Sequence, residues 1–428
     1  MNVPSYVPRP PAGRVRWIIC GLLFFACVLS YIDRLVLSVL KPMLSHEYGW
    51  SESGYGDVVF WFQALYGVGF LLFGRLVDRV GAKIGYVLAM SVWTAAHMAH
   101  ALVTSTFGFA LVRLPLALGE SGTYPAALAA IAEWFPKRER ALAIGIFNAG
   151  ANVGAVVTPL IVPAITLAMG WQSAFLITGL FNLVWLAAWI GLYRRPRQHP
   201  RISQAEIDYI EAEPFVDQGR APYKAVLSTR QAWAYMAGRF LIDPIWWTFL
   251  FWLPDFFSKR YGVDLKGFGP PLVAIYLLAD VGSIFGGWLS SRMLALGFSA
   301  NRARKTAMLI CALMVVPVVF AQWAPSIWIA VVLLGLACAG HQGFSSNHFS
   351  LPADAFPRFA QGTVVGLGGF AGAVGGMLMA KYAGFILDRF GSYTPIFVVA
   401  GCAYLIALLV VHLINPRYES VTKLTAEN

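Results

Sequence analysis

The sequence predicts an all-α membrane protein of twelve transmembrane helices in two pseudo-symmetric six-helix bundles. Composition, the spacing of apolar segments and an internal repeat carry that prediction. Of the 428 residues only 12% are charged and 58% are hydrophobic, whereas soluble domains are about 25% charged. A helix needs about 20 apolar residues to cross the hydrocarbon of a bilayer. Twelve stretches qualify, at 15–40, 55–76, 84–104, 107–134, 141–167, 172–193, 231–257, 269–292, 305–322, 326–350, 361–387 and 393–414. A long polar interval parts six spans from six, giving a first bundle at 1–193, a linker at 194–230 and a second bundle at 231–428.

The net charge of +11 reports topology, not a polyanionic partner. Arg9, Arg14, Arg16, Arg75, Arg79, Lys83, Lys137, Arg138, Arg140, Arg292, Arg302, Arg304, Lys305, Arg358, Arg417, Lys423 and the cluster from Arg194 to Arg230 all fall on one side of the predicted spans. The other side holds Lys41, Lys259, Arg260, Lys266 and Arg389. This positive-inside bias places both termini in the cytoplasm. A nucleic-acid-binding face would not alternate with span number, so nucleic acid is excluded as a partner. The N-terminus lacks a cleavable signal pattern, and the five cysteines all lie in predicted spans without metal-ligand spacing. A bacterial inner membrane, a monomer and no metal or cofactor are expected.

The repeat is specific. EWFPKRERALAIGIFNAGANVG at 133–154 echoes DAFPRFAQGTVVGLGGFAGAVG at 354–375, so that Glu133, Phe135, Pro136, Gly145 and Gly154 each find a counterpart 221 residues on. Duplicated six-helix halves are a plan of secondary transporters, with the substrate site between halves near the midplane. In the linker, Ser203 to Glu206 reads as a capping box opening a short helix, QAEIDYIEAE, expected to lie solvated near the headgroups.

Charges inside the spans are the next signal. A charged side chain at mid-bilayer costs ~2.5–3.5 kcal/mol on insertion scales and is a functional hypothesis by default. Span one carries Asp33 and Arg34, and span four carries Arg113 and Glu120, about two turns apart on one helical face. Span seven carries Arg239 and Asp243, span eight Asp280, span ten His341 followed by Gln342, and span eleven Lys381. His341 stands 221 residues after Glu120, the repeat-equivalent position. For Asp243 and Asp280, helix-to-helix hydrogen bonding and a coupling role stay open, and Lys381 is expected to snorkel to the interface. Tyr66, Trp246 and Trp247 sit mid-span, away from the interfacial belts where Trp and Tyr collect, with lipid packing expected for at least one of the two tryptophans. Asn148 and Asn152, one turn apart, are placed to offer amides to hydroxyls. The expected substrate-binding set is Arg34, Tyr66, Arg113, Asn148, Arg239, Trp246, His341 and Gln342, with Asp33 and Glu120 as the buried acids beside it.

GRLVDRVGAK at 74–83 resembles the G-x-x-x-D-R-x-G-x-[RK] loop of the major facilitator superfamily. That resemblance assigns Asp78 and Arg79 to gating, joined by Glu133 at the inner end of span four. SYIDR, RLPLALGESGTYPA and EWFPKRER further resemble the anion:cation symporter branch of that superfamily. Within it the similarity is to bacterial hexuronate transporters, and it extends over GRFLIDPIWWTFLFWLPDFF, YLLADVGSIFGG and GLACAGHQGFSSNHFSLPADAF. The resemblance implies import of organic anions such as sugar acids coupled to protons. By position it gives Arg34, Arg113 and Arg239 substrate contacts and makes Glu120 and Asp33 the acids. Aldonate importers of the branch carry an Asn in span eleven where this chain reads GLGGFAGAVGG, which disfavours an aldonate. In the implied cycle both acids neutralise the arginines when ionised, and protonation frees an arginine for a carboxylate. An enzyme is not expected: GESGT at 119–123 lacks the strand-turn-helix setting of a nucleophile elbow.

Overall fold

A computed structural model describes residues 14–211, 221–417 and 419–421. Arg9, Lys423 and residues 212–220 of the linker, the end of the QAEIDYIEAE segment included, lie outside the described residues. The first half comprises α1 (Val15–Tyr48), α2 (Glu52–Ala99), α3 (Thr106–Ser121), α4 (Thr123–Trp134), α5 (Lys137–Met169) and α6 (Trp171–Leu192). The linker holds α7 (Gln204–Glu211) and α8 (Tyr223–Leu227). The second half comprises α9 (Arg230–Tyr261), α10 (Gly269–Ala295), α11 (Ala300–Val315), α12 (Ile327–His348), α13 (Leu351–Ala355), α14 (Arg358–Phe390) and α15 (Thr394–Ile414). Among the described residues the regular structure is entirely helical.

Nine described helices are long and apolar enough to cross a membrane by length and composition. Physical length recovers the rest. The 48 residues of α2 extend about 72 Å at 1.5 Å per residue, twice the ~30 Å hydrocarbon core, so α2 holds two crossings. They meet at Gly81 (φ 80°, ψ 167°), in the left-handed region that glycine enters without penalty. The other two crossings are α3 with α4, and α9. The first is divided at Gly122 into helices of 16 and 12 residues, each too short to cross alone, and the second carries Arg239, Asp243 and Asp255 along its length.

The halves match to the residue along the repeat. Both α5 and α14 run 33 residues, from Pro136 (φ −63°, ψ 154°) and Pro357 (φ −62°, ψ 152°). Arg140 donates to the Phe135 carbonyl (2.9 Å) and Gln361 to the Phe356 carbonyl (3.0 Å), so one helix entry is built twice. Within the first half α1 packs on α5 and α6, and α2 on α3; within the second, α9 packs on α14 and α15, and α10 on α12. The halves meet along α2 with α14, α1 with α9 and α5 with α10.

The linker helix departs from the expectation. Ser203 Oγ does accept from the Glu206 N–H (3.2 Å), as a capping box requires. The Glu206 carboxylate, however, is buried against Arg16 (Nη1–Oε1 3.0 Å), and Arg16 also pairs with Glu139 on α5 (2.9 Å). Tyr209 donates to Glu139 (2.8 Å). α7 is therefore clamped onto the first bundle by a buried ion cluster and is not a solvated spacer.

Candidate functional site

Arg34 is the centre of the arrangement. Its Nε and Nη2 both donate to Glu120 Oε2, at 2.9 and 2.7 Å, and both residues are fully buried. Four rings enclose the guanidinium: Tyr31 at 5.0 Å, Phe62 at 5.7 Å and Tyr66 at 4.8 Å from the first half, and Trp247 at 4.9 Å from the second. A desolvated cation gains from such ring faces, and Trp247 makes the cage a joint product of both halves. Arg113 does not pair with Glu120, its neighbour on the helix. It donates from Nη2 to the Arg34 carbonyl (3.3 Å) and lies over the Phe62 ring (5.0 Å).

Several polar atoms around this cage lack a partner. Arg113 Nε and Nη1, Glu120 Oε1 and both amide atoms of Gln63 are buried without a hydrogen bond. Buried polar groups are rarely left so, and stranded donors beside an arginine suit an anion with hydroxyls. Gln63 was not among the expected residues. Its signal was available: an amide in mid-span, three residues before Tyr66.

Asp33 corrects the expected site. Its carboxylate does not meet Arg34 or Arg113. Oδ2 accepts from Trp93 Nε1 (2.6 Å) and Asn182 Nδ2 (2.5 Å), and Oδ1 stands 3.1 Å from His97 Nε2. This pocket lies inside the first bundle, between α1, α2 and α6, and is sealed from solvent.

The second half contributes its own ion pair. Arg239 Nε and Nη2 both reach Asp243 Oδ2 at 2.6 Å, and the Arg239 guanidinium lies 4.2 Å from the Phe349 ring. Counting from Trp247, Arg239 lies eight residues, or about 12 Å, closer to the linker face. Trp246 stacks on His341 (4.9 Å, 5° between planes), and His341 Nδ1 bonds Tyr404 Oη (2.5 Å). Trp246 and Trp247 thus both face protein, and neither packs against lipid as expected. Gln342 is half-buried. Asn148 is exposed and lies beside Tyr124 of α4, while Asn152 lies beside Asp280 across the junction of α5 and α10. In the α14 stretch GLGGFAGAVGG, a Cβ on Gly372 would overlap Asp243 Oδ2, whereas Gly366 and Gly369 have open space around them. Close packing excludes a side chain at Gly372.

The face opposite the linker is shut by charge. Lys41 of α1 is fully buried between Glu52 (2.7 Å) and Asp255. Lys259 bridges the same two acids at 2.5 and 3.1 Å, and Tyr393 donates to Asp255. Asp388 accepts from the Glu52 and Ser53 N–H groups (2.9 and 2.8 Å) at the start of α2, the electropositive end of that helix. Lys381 pairs with Asp57 across the halves and does not snorkel free. A Cβ on Gly56 would lie 2.7 Å from the Ala380 carbonyl oxygen, so the backbones touch. At the other face, Asp78 and Arg79 flank the Gly81 turn, and Glu133 accepts from Tyr193 (2.8 Å). Among the described residues no cluster of metal ligands occurs.

Two duplicated bundles, a caged arginine at their junction and one closed face define a multi-pass membrane transporter, not an enzyme. Residues 23–380 match the Major Facilitator Superfamily, and the chain belongs to that family. It is 31% identical over 404 residues to the hexuronate transporter of Escherichia coli K12, covering 93% of each chain. It is 34% identical over 280 residues to a galacturonate transporter of Dickeya chrysanthemi, covering 64% of this chain and 81% of that one. In fold it is similar to a bacterial homologue of the human lysosomal transporter Spinster in an inward-facing, occupied conformation. The TM-score is 0.72 at 17% identity, over 95% of this chain and 97% of that one.

Proposed function

We propose that this protein imports an organic anion together with protons, and that a hexuronate such as galacturonate is the substrate. The linker face is read as cytoplasmic from the positive-inside bias, which sets the closed face outward, in a bacterial inner membrane with both termini inside. The observation that carries the reading is the Arg34–Glu120 pair, held in an aromatic cage with stranded donors beside it. Ionised Glu120 occupies Arg34 and denies it to an anion. Protonation of Glu120 removes the competing charge, and the guanidinium can then hold a carboxylate in bidentate fashion. Gln63, Arg113 and Asn148 supply donors for ring hydroxyls, and Tyr66 and Trp247 supply faces for the sugar ring. The names of the similar transporters support an acid sugar.

Another organic anion (an aldonate, glucarate, or an aromatic or dicarboxylic acid) is the second reading, its diacid and aromatic forms favoured by Arg239 as a further cation and by Trp246 with Trp247. Thermal shifts of purified protein with galacturonate, glucuronate, galactonate, glucarate and aromatic acids, at acid and neutral pH, test both. Stabilisation by galacturonate at acid pH supports the reading. Stabilisation only by a diacid or an aromatic acid replaces the substrate. The absence of a shift with any carboxylate contradicts the carboxylate clamp.

A further inference from the structure

Asp33 is buried without a fixed cation. Arg34 is turned to Glu120, and among the described residues no lysine or arginine is ion-paired with Asp33. An isolated buried charge is costly, yet among the described residues the one titratable group within about 3 Å of the carboxylate is His97, whose Nε2 stands 3.1 Å from Oδ1. We propose that Asp33 and His97 form one proton-binding unit inside the first bundle, separate from the substrate cage, with His97 sharing the proton that Asp33 carries. The proposal rests on the proton-coupled reading above.

The hydrogen-bond pattern defines how the unit is loaded. Thr178 donates its hydroxyl hydrogen to the Ala174 carbonyl (2.7 Å), so its oxygen accepts from His97 Nε2 (2.6 Å). His97 therefore carries its hydrogen on Nε2, aimed at Thr178, while Asp33 Oδ1 lies 3.1 Å from the same nitrogen without a donor of its own, and His97 Nδ1 is a buried acceptor with no donor. A proton arriving at Nδ1 makes an imidazolium next to the carboxylate. The Nε2 hydrogen, turned from Thr178 to the nearby Asp33 Oδ1 and transferred to it, then leaves a neutral imidazole protonated on Nδ1 and a carboxylic acid. The net change is one proton gained by the pair, and the two groups titrate as one. The other groups bearing on the unit are His100, whose Nδ1 donates to the Ala96 carbonyl (2.8 Å), Arg113 toward both imidazoles, and Glu120 toward Asp33.

The experiment measures protons moved per galacturonate by full-length protein in liposomes carrying a pH-sensitive dye. His97→Gln keeps an N–H donor for Asp33 and Thr178 but cannot titrate. It is expected to move one proton fewer than wild type, as is Asp33→Asn, and the double variant is expected to lose no more than either. A wild-type proton ratio and pH profile in His97→Gln, with a loss in Asp33→Asn, overturns the role of His97 alone. A wild type that moves no protons overturns the coupling reading as well. Infrared titration of wild-type protein gives a second readout that needs no His97 variant. The carboxyl band that Asp33→Asn removes is expected to titrate together with an imidazole signal, and its titration without one overturns the proposal.

Discussion

Asp33 and Arg34 are consecutive in the chain and serve different compartments. Arg34 reaches Glu120 at 2.7 Å in the cage between the halves, while Asp33 accepts from Asn182 at 2.5 Å inside the first bundle. Successive helical residues diverge by about 100°, so one turn of α1 feeds both sites. An anion entering the cage meets Arg34 without meeting the Asp33 carboxylate.

Removing the charge of Glu120 should uncouple transport without abolishing it. Glu120→Gln leaves Arg34 permanently available, so galacturonate exchange down a gradient persists while proton-driven accumulation is lost. Counterflow and uphill uptake in the same liposomes check this, and uphill uptake at the wild-type level contradicts it.

The cage wall can be graded by its cation–π contribution. Trp247→Ala removes the second half's ring from Arg34, an interaction of ~0.5–2 kcal/mol depending on desolvation. Galacturonate affinity should fall by up to about thirtyfold on that scale, with Trp247→Phe retaining most of it. A titration of substrate-induced thermal stabilisation measures the ratio.

At the closed face, two lysines should behave differently. Lys41 is fully buried between two acids, and breaking a buried pair by deleting one partner costs about 3–5 kcal/mol. Lys381 is half-exposed on Asp57, and such pairs are worth about 0–1 kcal/mol. Lys41→Ala should therefore open this face, while Lys381→Ala should barely change it. Labelling of a cysteine placed at Ser53 by an impermeant maleimide reads the difference, and equal labelling in the two variants argues against a charge-held gate.

Glu206→Ala should detach the linker helix from the first bundle. Arg16 keeps Glu139 but loses its fully buried partner, so stability should drop by about 3 kcal/mol with the substrate site untouched. Melting temperature, together with protease cleavage within 194–230, checks this. An unchanged melting curve means that the clamp contributes nothing.

Much of this was legible in the sequence because it depends on local pattern. Crossing length gives the spans, and the 221-residue offset gives paired helix starts at Pro136 and Pro357. Charge inside greasy segments singled out Arg34, Arg113, Glu120 and Arg239. What stayed hidden depends on which faces of distant helices meet. Asp33 and its partners Trp93 and Asn182 are 60 and 149 residues apart, so its direction away from Arg34 leaves no local trace. His97 and His100 stand three residues apart in an apolar span, with nothing in the local sequence to pair either with Asp33. Lys41, Glu52, Asp255 and Lys381 look like ordinary interfacial charges until the two halves are placed side by side. The capping box at Ser203 was visible, but Arg16, 190 residues from Glu206, was not a foreseeable anchor.

The exchange of Glu120 for a substrate carboxylate on Arg34 is tested most directly by calorimetry of galacturonate binding in buffers of different ionisation enthalpy, which counts protons taken up on binding. Wild-type protein should take up protons with galacturonate, and Glu120→Gln should bind it with one fewer. Equal proton uptake by the two proteins would contradict Glu120 as the group that yields Arg34 to the anion.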